Sequence, residues 1–201
     1  APSTWADATT NKLRNFALIQ NGIRYWGLII GVSNAATASF VMNNNLSAAI
    51  ETATWQMGDY NIANGFPSAG CFHQDRLVLA GAPSYPTQID ASKTGDYENF
   101  AASGSSLQVT DSNALSFKLL SAEINPIRWT KSSAQGLLAG STTTEWQISP
   151  NNQAAALTPT NVNAQPTSFF GSADIDAVQA ANATLYIQTA YRKVREMNYF
   201  F

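Results

Sequence analysis

The sequence predicts an all-β fold of short antiparallel sheets, with a spacing compatible with a β-propeller-like platform that this chain need not complete. Three observations predict it. Apolar residues recur with a period of two, turn residues interrupt them at short intervals, and a loose strand-turn-strand unit appears three times. Nothing in the chain reads as a long helix.

Residues 9–14 read as a short helix or an irregular arm. Residues 16–20 and 23–30 flank Asn21-Gly22, a dipeptide that tolerates the positive φ of a type I′ turn, so they form a hairpin. A second turn over residues 33–36 leads into a strand over 37–42, which Asn43-Asn44-Asn45 breaks. Trp55 and the aromatic-Gly-Pro turn Gly65-Phe66-Pro67 then feed the run Phe72-His73-Gln74-Asp75-Arg76-Leu77, which holds the only histidine. This divides the chain into an N-terminal arm and hairpin region, 1–62, and a blade region, 63–201.

The recurring unit pairs residues 76–81 with 88–92, 136–140 with 145–149, and 183–187 with 193–199. Its anchors Leu77 and Leu138 are 61 residues apart, and Leu138 and Leu185 are 47 apart. Propeller blades repeat at about 40 to 50 residues with longer inserts in loops, so the spacing is compatible with a propeller without being diagnostic of one. Polar stretches at 103–106, 132–135 and 150–153 read as exposed connections. Leu115, Phe117 and Leu119 alternate as in a strand.

With 201 residues the chain is long enough to bury a sizeable core. Only 12% of residues are charged, about half the usual fraction, so Asn, Gln, Ser and Thr must solvate the surface. A net charge of −2 gives no long-range attraction for a polyanion. Arg192-Lys193-Val194-Arg195 is the clearest basic run, but read as a strand it sends its charges to opposite faces. One cysteine, Cys71, excludes an internal disulfide and any multi-cysteine metal site, and it reads as a small buried hydrophobe. No apolar run is long enough to span a bilayer, and the N-terminus lacks the pattern of a signal peptide. The absent initiator methionine suggests an excised or processed piece.

A Ser-His-Asp arrangement would need His73 as base with Asp75 beside it on the same strand face, and no Gly-x-Ser-x-Gly elbow is present. A structural role for His73 is the better reading. Asp90, Asp96, Glu98, Glu123, Glu145, Asp174, Asp176 and Glu196 could supply the carboxylate pair of a glycosidase. Turn chemistry and strand-edge charge account for Asp96 and Glu145 without a substrate. Asp174-Ile-Asp176 does not reproduce a calcium loop, and no phosphate-cradling glycine loop occurs, so no cofactor or metal is expected. Trp129 and Trp146 alternate with polar neighbours, as inward-facing strand residues do.

A succession of phrases resembles the tail nozzle proteins of short-tailed bacteriophages, also called tail tubular protein B or tail hub proteins. In order these are Tyr25-Trp26, Thr54-Trp55, Gly65-Phe66-Pro67, Phe72-His73-Gln74-Asp75-Arg76-Leu77 with Gly81, and Gly95-Asp96-Tyr97. Ile127-Arg128-Trp129, Leu138-Ala139-Gly140, Glu145-Trp146 and Arg192-Lys193-Val194-Arg195 follow, so the likeness runs over residues 23–201. Asp90 departs from it where a bulkier aromatic is expected. Nozzle proteins usually span several hundred residues, so the chain reads as a central fragment or a compact member. The resemblance implies a non-enzymatic virion protein of the phage tail, assembled in the host cytoplasm, whose copies form a ring, commonly sixfold. That ring extends the DNA ejection channel below the portal and adaptor. Implied partners are identical subunits, head-tail connector proteins, tail fibre or spike proteins and, transiently and without specificity, DNA. No membrane insertion is implied. Trp55, Gly65, Pro67, His73, Arg76, Trp129, Trp146, Arg192 and Arg195 become structural-motif residues on this reading. The alternative is a carbohydrate-binding or glycan-cleaving β-propeller tail component.

Overall fold

The computed structural model describes residues 14–34, 37–42, 45–46, 49, 51–52, 54–121, 124–152 and 155–197. Expectations for residues 9–13, the turn at 35–36, Asn43, Asn44, Glu123 and Tyr199 fall outside them. The described chain is all-β, with fifteen strands in four antiparallel sheets and no helix among the described residues. It divides into two units, residues 1–66 with 103–108 and residues 67–102 with 109–201. The boundary lies four residues beyond the expected one, because Asn61 and Gly65 close a turn, Gly65 N donating to Asn61 O at 2.8 Å, that belongs with the first unit. The return of 103–108 to that unit was not legible in the sequence; there Arg24 N donates to Ser105 O at 2.9 Å.

The first unit holds one sheet of β1 (Asn15–Gln20), β2 (Ile23–Asn34), β3 (Thr37–Met42) and β4 (Trp55–Met57), in the order β3-β2-β1-β4. The β1–β2 hairpin turns through Asn21 (φ 53°) and Gly22 (φ 73°), the two positive angles that a type I′ turn requires. Its core is Phe16 and Ile29, with Phe40 and Trp55 stacked on Phe16 at centroid distances of 4.7 and 6.2 Å.

The second unit is three sheets laid down in chain order. The first contains β5 (Ala69–His73), β6 (Arg76–Ala82), β7 (Tyr85–Ala91) and β8 (Leu115–Lys118). The second contains β9 (Ile127–Ser133), β10 (Gly136–Ser141), β11 (Glu145–Ser149) and β12 (Asn163–Ser168). The third contains β13 (Val178–Ala180), β14 (Ala183–Ile187) and β15 (Val194–Met197). Each is an up-and-down meander. The three recurring strand pairs of the sequence are its β6–β7, β10–β11 and β14–β15 hairpins.

The period of two gives every sheet two faces, and the second sheet uses both. Leu137, Ala139, Trp146 and Ile148 pack against Val78, Ala80 and Ile89 of the first sheet in the main core. Trp129 and Leu138, on the opposite face, pack against Tyr186 of the third and against Ala177, which precedes it. Strand β9 touches both β5 and β13, so the first strands of the three sheets lie side by side.

Candidate functional site

Of the residues singled out in the sequence, His73, Trp129 and Trp146 make contacts between the three sheets. His73 ends β5 with its ring buried, and its Nδ1 lies 2.8 Å from Ser132 Oγ on β9. Burial in a site with no counter-charge pulls its pKa below the usual 6.5, so the ring is neutral near pH 7. Asp75 is not its partner. The expected shared strand face does not exist, because Gln74 (φ 48°) and Asp75 (φ 57°) form the β5–β6 turn. The Asp75 carboxylate instead accepts from Tyr97 Oη at 2.6 Å. The hydroxyl on His73 comes from a residue expected in an exposed connection; Ser132 and Ser133 are the last residues of β9.

Arg76 is buried at the start of β6, where its guanidinium gathers the two ends of the long excursion from β7 to β8. Nη1 donates to Ser92 O at 2.7 Å and Asn113 O at 2.6 Å, and Nη2 donates to Asp111 O at 2.6 Å. A planar fork of donors suits carbonyls arriving from separate segments. Burial pulls its pKa down from the usual arginine value.

Glu145 was expected as an exposed strand-edge charge and is fully buried. Its Oε1 accepts from Ser172 Oγ at 2.9 Å, and Oε2 accepts a short hydrogen bond from Ser168 Oγ. Tyr186 of the third sheet joins this group, its phenol pushed up to about 12, chiefly by burial and further by the Glu145 carboxylate. The carboxylate thus ties β11, β12 and the 171–173 segment to the third sheet. Gly140 sits opposite Glu145 in β10 and leaves the space that Trp129 occupies. That small residue across from an acidic one was the available sequence signal.

The other motif residues serve separate places. Trp55 belongs to the aromatic core of the first unit, Gly65 (φ 84°) to its closing turn, and Pro67 opens the second unit. Trp129 and Trp146 are both buried, on opposite faces of the second sheet. Arg192 was expected in a strand. It lies in the hairpin loop before β15, because Tyr191 (φ 56°) turns the chain there, whereas Arg195 is in the strand with its guanidinium 3.7 Å above the Phe170 ring.

An open cleft of about 370 Å³ lies between the outer strands of the first two sheets. Phe117, Lys118, Trp146 and Val162 line it, and among the described lining residues none is a carboxylate. Among the described residues no three His, Cys, Asp or Glu side chains are grouped to hold a metal ion, and no helix is long and apolar enough to cross a membrane. Asp174 pairs with Arg128 at 3.6 Å, Asp96 accepts from Asn99 Nδ2 at 3.1 Å, and Gln88 Nε2 donates to both oxygens of Asp90. These carboxylates serve local hydrogen bonding. No protein-family model matches the sequence, and no curated protein matches it.

Proposed function

We propose that this chain is a structural component of a bacteriophage tail, a subunit of a ring-shaped nozzle that extends the DNA ejection channel below the portal and adaptor. Its three stacked sheets act as consecutive blades of a propeller-like platform. The observation that carries this reading is the outward face of the third sheet. Val178 and Val194 are 61% and 69% exposed there, with Leu185 and Ile187 as their cross-strand partners, and Glu196, opposite Leu185, puts one exposed charge on the same face. A sheet face of that composition is stable in water when another surface covers it. In the first two sheets the corresponding packing is supplied by the next sheet of the chain. In a ring, a neighbouring subunit supplies it. The ordered likeness to nozzle proteins supports the phage assignment, and the low charge supports a lumen along which DNA slides without being held.

The competing glycan-cleaving reading calls for two carboxylates about 5 to 9.5 Å apart beside exposed rings. The buried Trp129 and Trp146, and a cleft with no carboxylate among its described lining residues, favour the structural role. Gold-labelled antibody against the chain, imaged on phage particles, tests the assignment. Label confined to the tail below the capsid vertex is the expected result; particles devoid of the protein would refute it.

A further inference from the structure

Three of the chain's 11 lysines and arginines, Arg192, Lys193 and Arg195, fall within four positions, and the Phe170 ring lies 3.7 Å beneath the Arg195 guanidinium. The hairpin loop is closed by Gln188 N donating to Lys193 O at 3.0 Å and Tyr191 N donating to Gln188 O at 2.8 Å. Thr189 N fastens it to the 169–171 segment, donating to Gly171 O at 3.0 Å, and Thr189 Oγ1 fastens it to the β10–β11 turn, donating to Thr142 O at 2.7 Å. Arg195 is fixed over Phe170, with Nε donating to Gln188 Oε1 at 3.2 Å. In these two fastened segments Phe169 and Tyr191 are 76% and 61% exposed, Arg192 and Lys193 are exposed next to Tyr191 in the loop, and the Tyr191 hydroxyl accepts from Asp174 N at 3.4 Å.

We infer that this surface binds single-stranded nucleic acid without sequence selection. Bases stack on Phe169 and Tyr191, and Arg192 and Lys193 meet the phosphates. The chemistry fits on three counts. Every base offers a π-face, so exposed rings bind strands regardless of sequence. Arg192 and Lys193 follow Tyr191 directly in the loop, as a phosphate follows its base along a strand. The nearby Asp174 carboxylate is paired with Arg128 at 3.6 Å, and Glu196 lies on the face of β15 opposite Arg195. An anionic membrane would be served by a continuous apolar wedge, whereas here Thr189 and Gln188 interrupt the rings. This site does not depend on the nozzle assignment, which needs only non-specific passage of DNA.

Fluorescence anisotropy of labelled oligo(dT) with the full chain tests the inference. Two phosphate contacts give a slope of about −1.4 in log K against log salt. Phe169→Ser with Tyr191→Asn, chosen because Asn tolerates positive φ, weakens binding about tenfold or more. Arg192→Gln with Lys193→Gln flattens the salt dependence. Circular dichroism verifies that both variants fold. No binding at low salt, equal affinity in all three proteins, or binding to phosphatidylserine vesicles in place of oligo(dT) would overturn it.

Discussion

Trp129 lies across β9–β10 from Gly140 so closely that a Cβ at position 140 would stand 2.2 Å from its Cε2 and Nε1. The indole fills the side-chain space of the facing residue, which is how a tryptophan fits between the second and third sheets. Gly140→Ala forces the ring out and costs about 2 kcal/mol, as overpacking of a filled core does. Urea unfolding followed by tryptophan fluorescence reads both effects, a lower midpoint and an altered native emission. An unchanged midpoint would contradict the packing described.

Arg76→Met leaves the carbonyls of Ser92, Asp111 and Asn113 without their shared donor. Unsatisfied buried acceptors cost about 1 to 3 kcal/mol each, with water recovering part, so a loss on the order of 3 kcal/mol is expected. Arg76→Lys restores less than half, since an ammonium cannot span both ends of the excursion. Limited proteolysis distinguishes this from general destabilisation: cleavage within residues 93–111 should precede cleavage elsewhere.

His73 is the sole histidine, so stability between pH 6.5 and the carboxylate range reports largely on its ring. Its folded pKa lies below the 6.5 of the unfolded chain. The unfolded state therefore binds more protons in this window, and stability is full above pH 6.5 and falls as pH drops toward the folded pKa. Urea midpoints measured across that window should decline on acidification in the native chain and stay level in His73→Gln. A level profile in the native chain would contradict a buried neutral ring.

Glu145→Leu leaves Ser168, Ser172 and Tyr186 facing an apolar side chain and costs about 3 kcal/mol. Glu145→Gln keeps one acceptor oxygen and costs about half that. Removing the negative charge also lowers the Tyr186 pKa from about 12, which a spectrophotometric tyrosine titration detects as earlier ionisation of one phenol.

The strands were legible because each carries a period of two and its pairs are close in sequence, as in the Asn21-Gly22 hairpin and the β6–β7, β10–β11 and β14–β15 pairs. What escaped the sequence depends on contacts across sheets. Glu145 reads like any strand-edge acid until Ser168 and Ser172 arrive from more than twenty positions away. The Gln74-Asp75 turn lacks glycine and asparagine, the residues that announce positive φ. Tyr191 hid a turn in the same way and so exposed Arg192 and Lys193 together. Ser132 reads as loop by composition, yet its hydroxyl completes the bond to His73.

The ring is tested most directly by negative-stain imaging of the assembled protein. Closed rings of uniform diameter are expected, with neighbouring subunits covering Val178 and Val194. Single particles of the 21.6 kDa chain at every concentration, in a protein that binds oligosaccharide tightly, would contradict it.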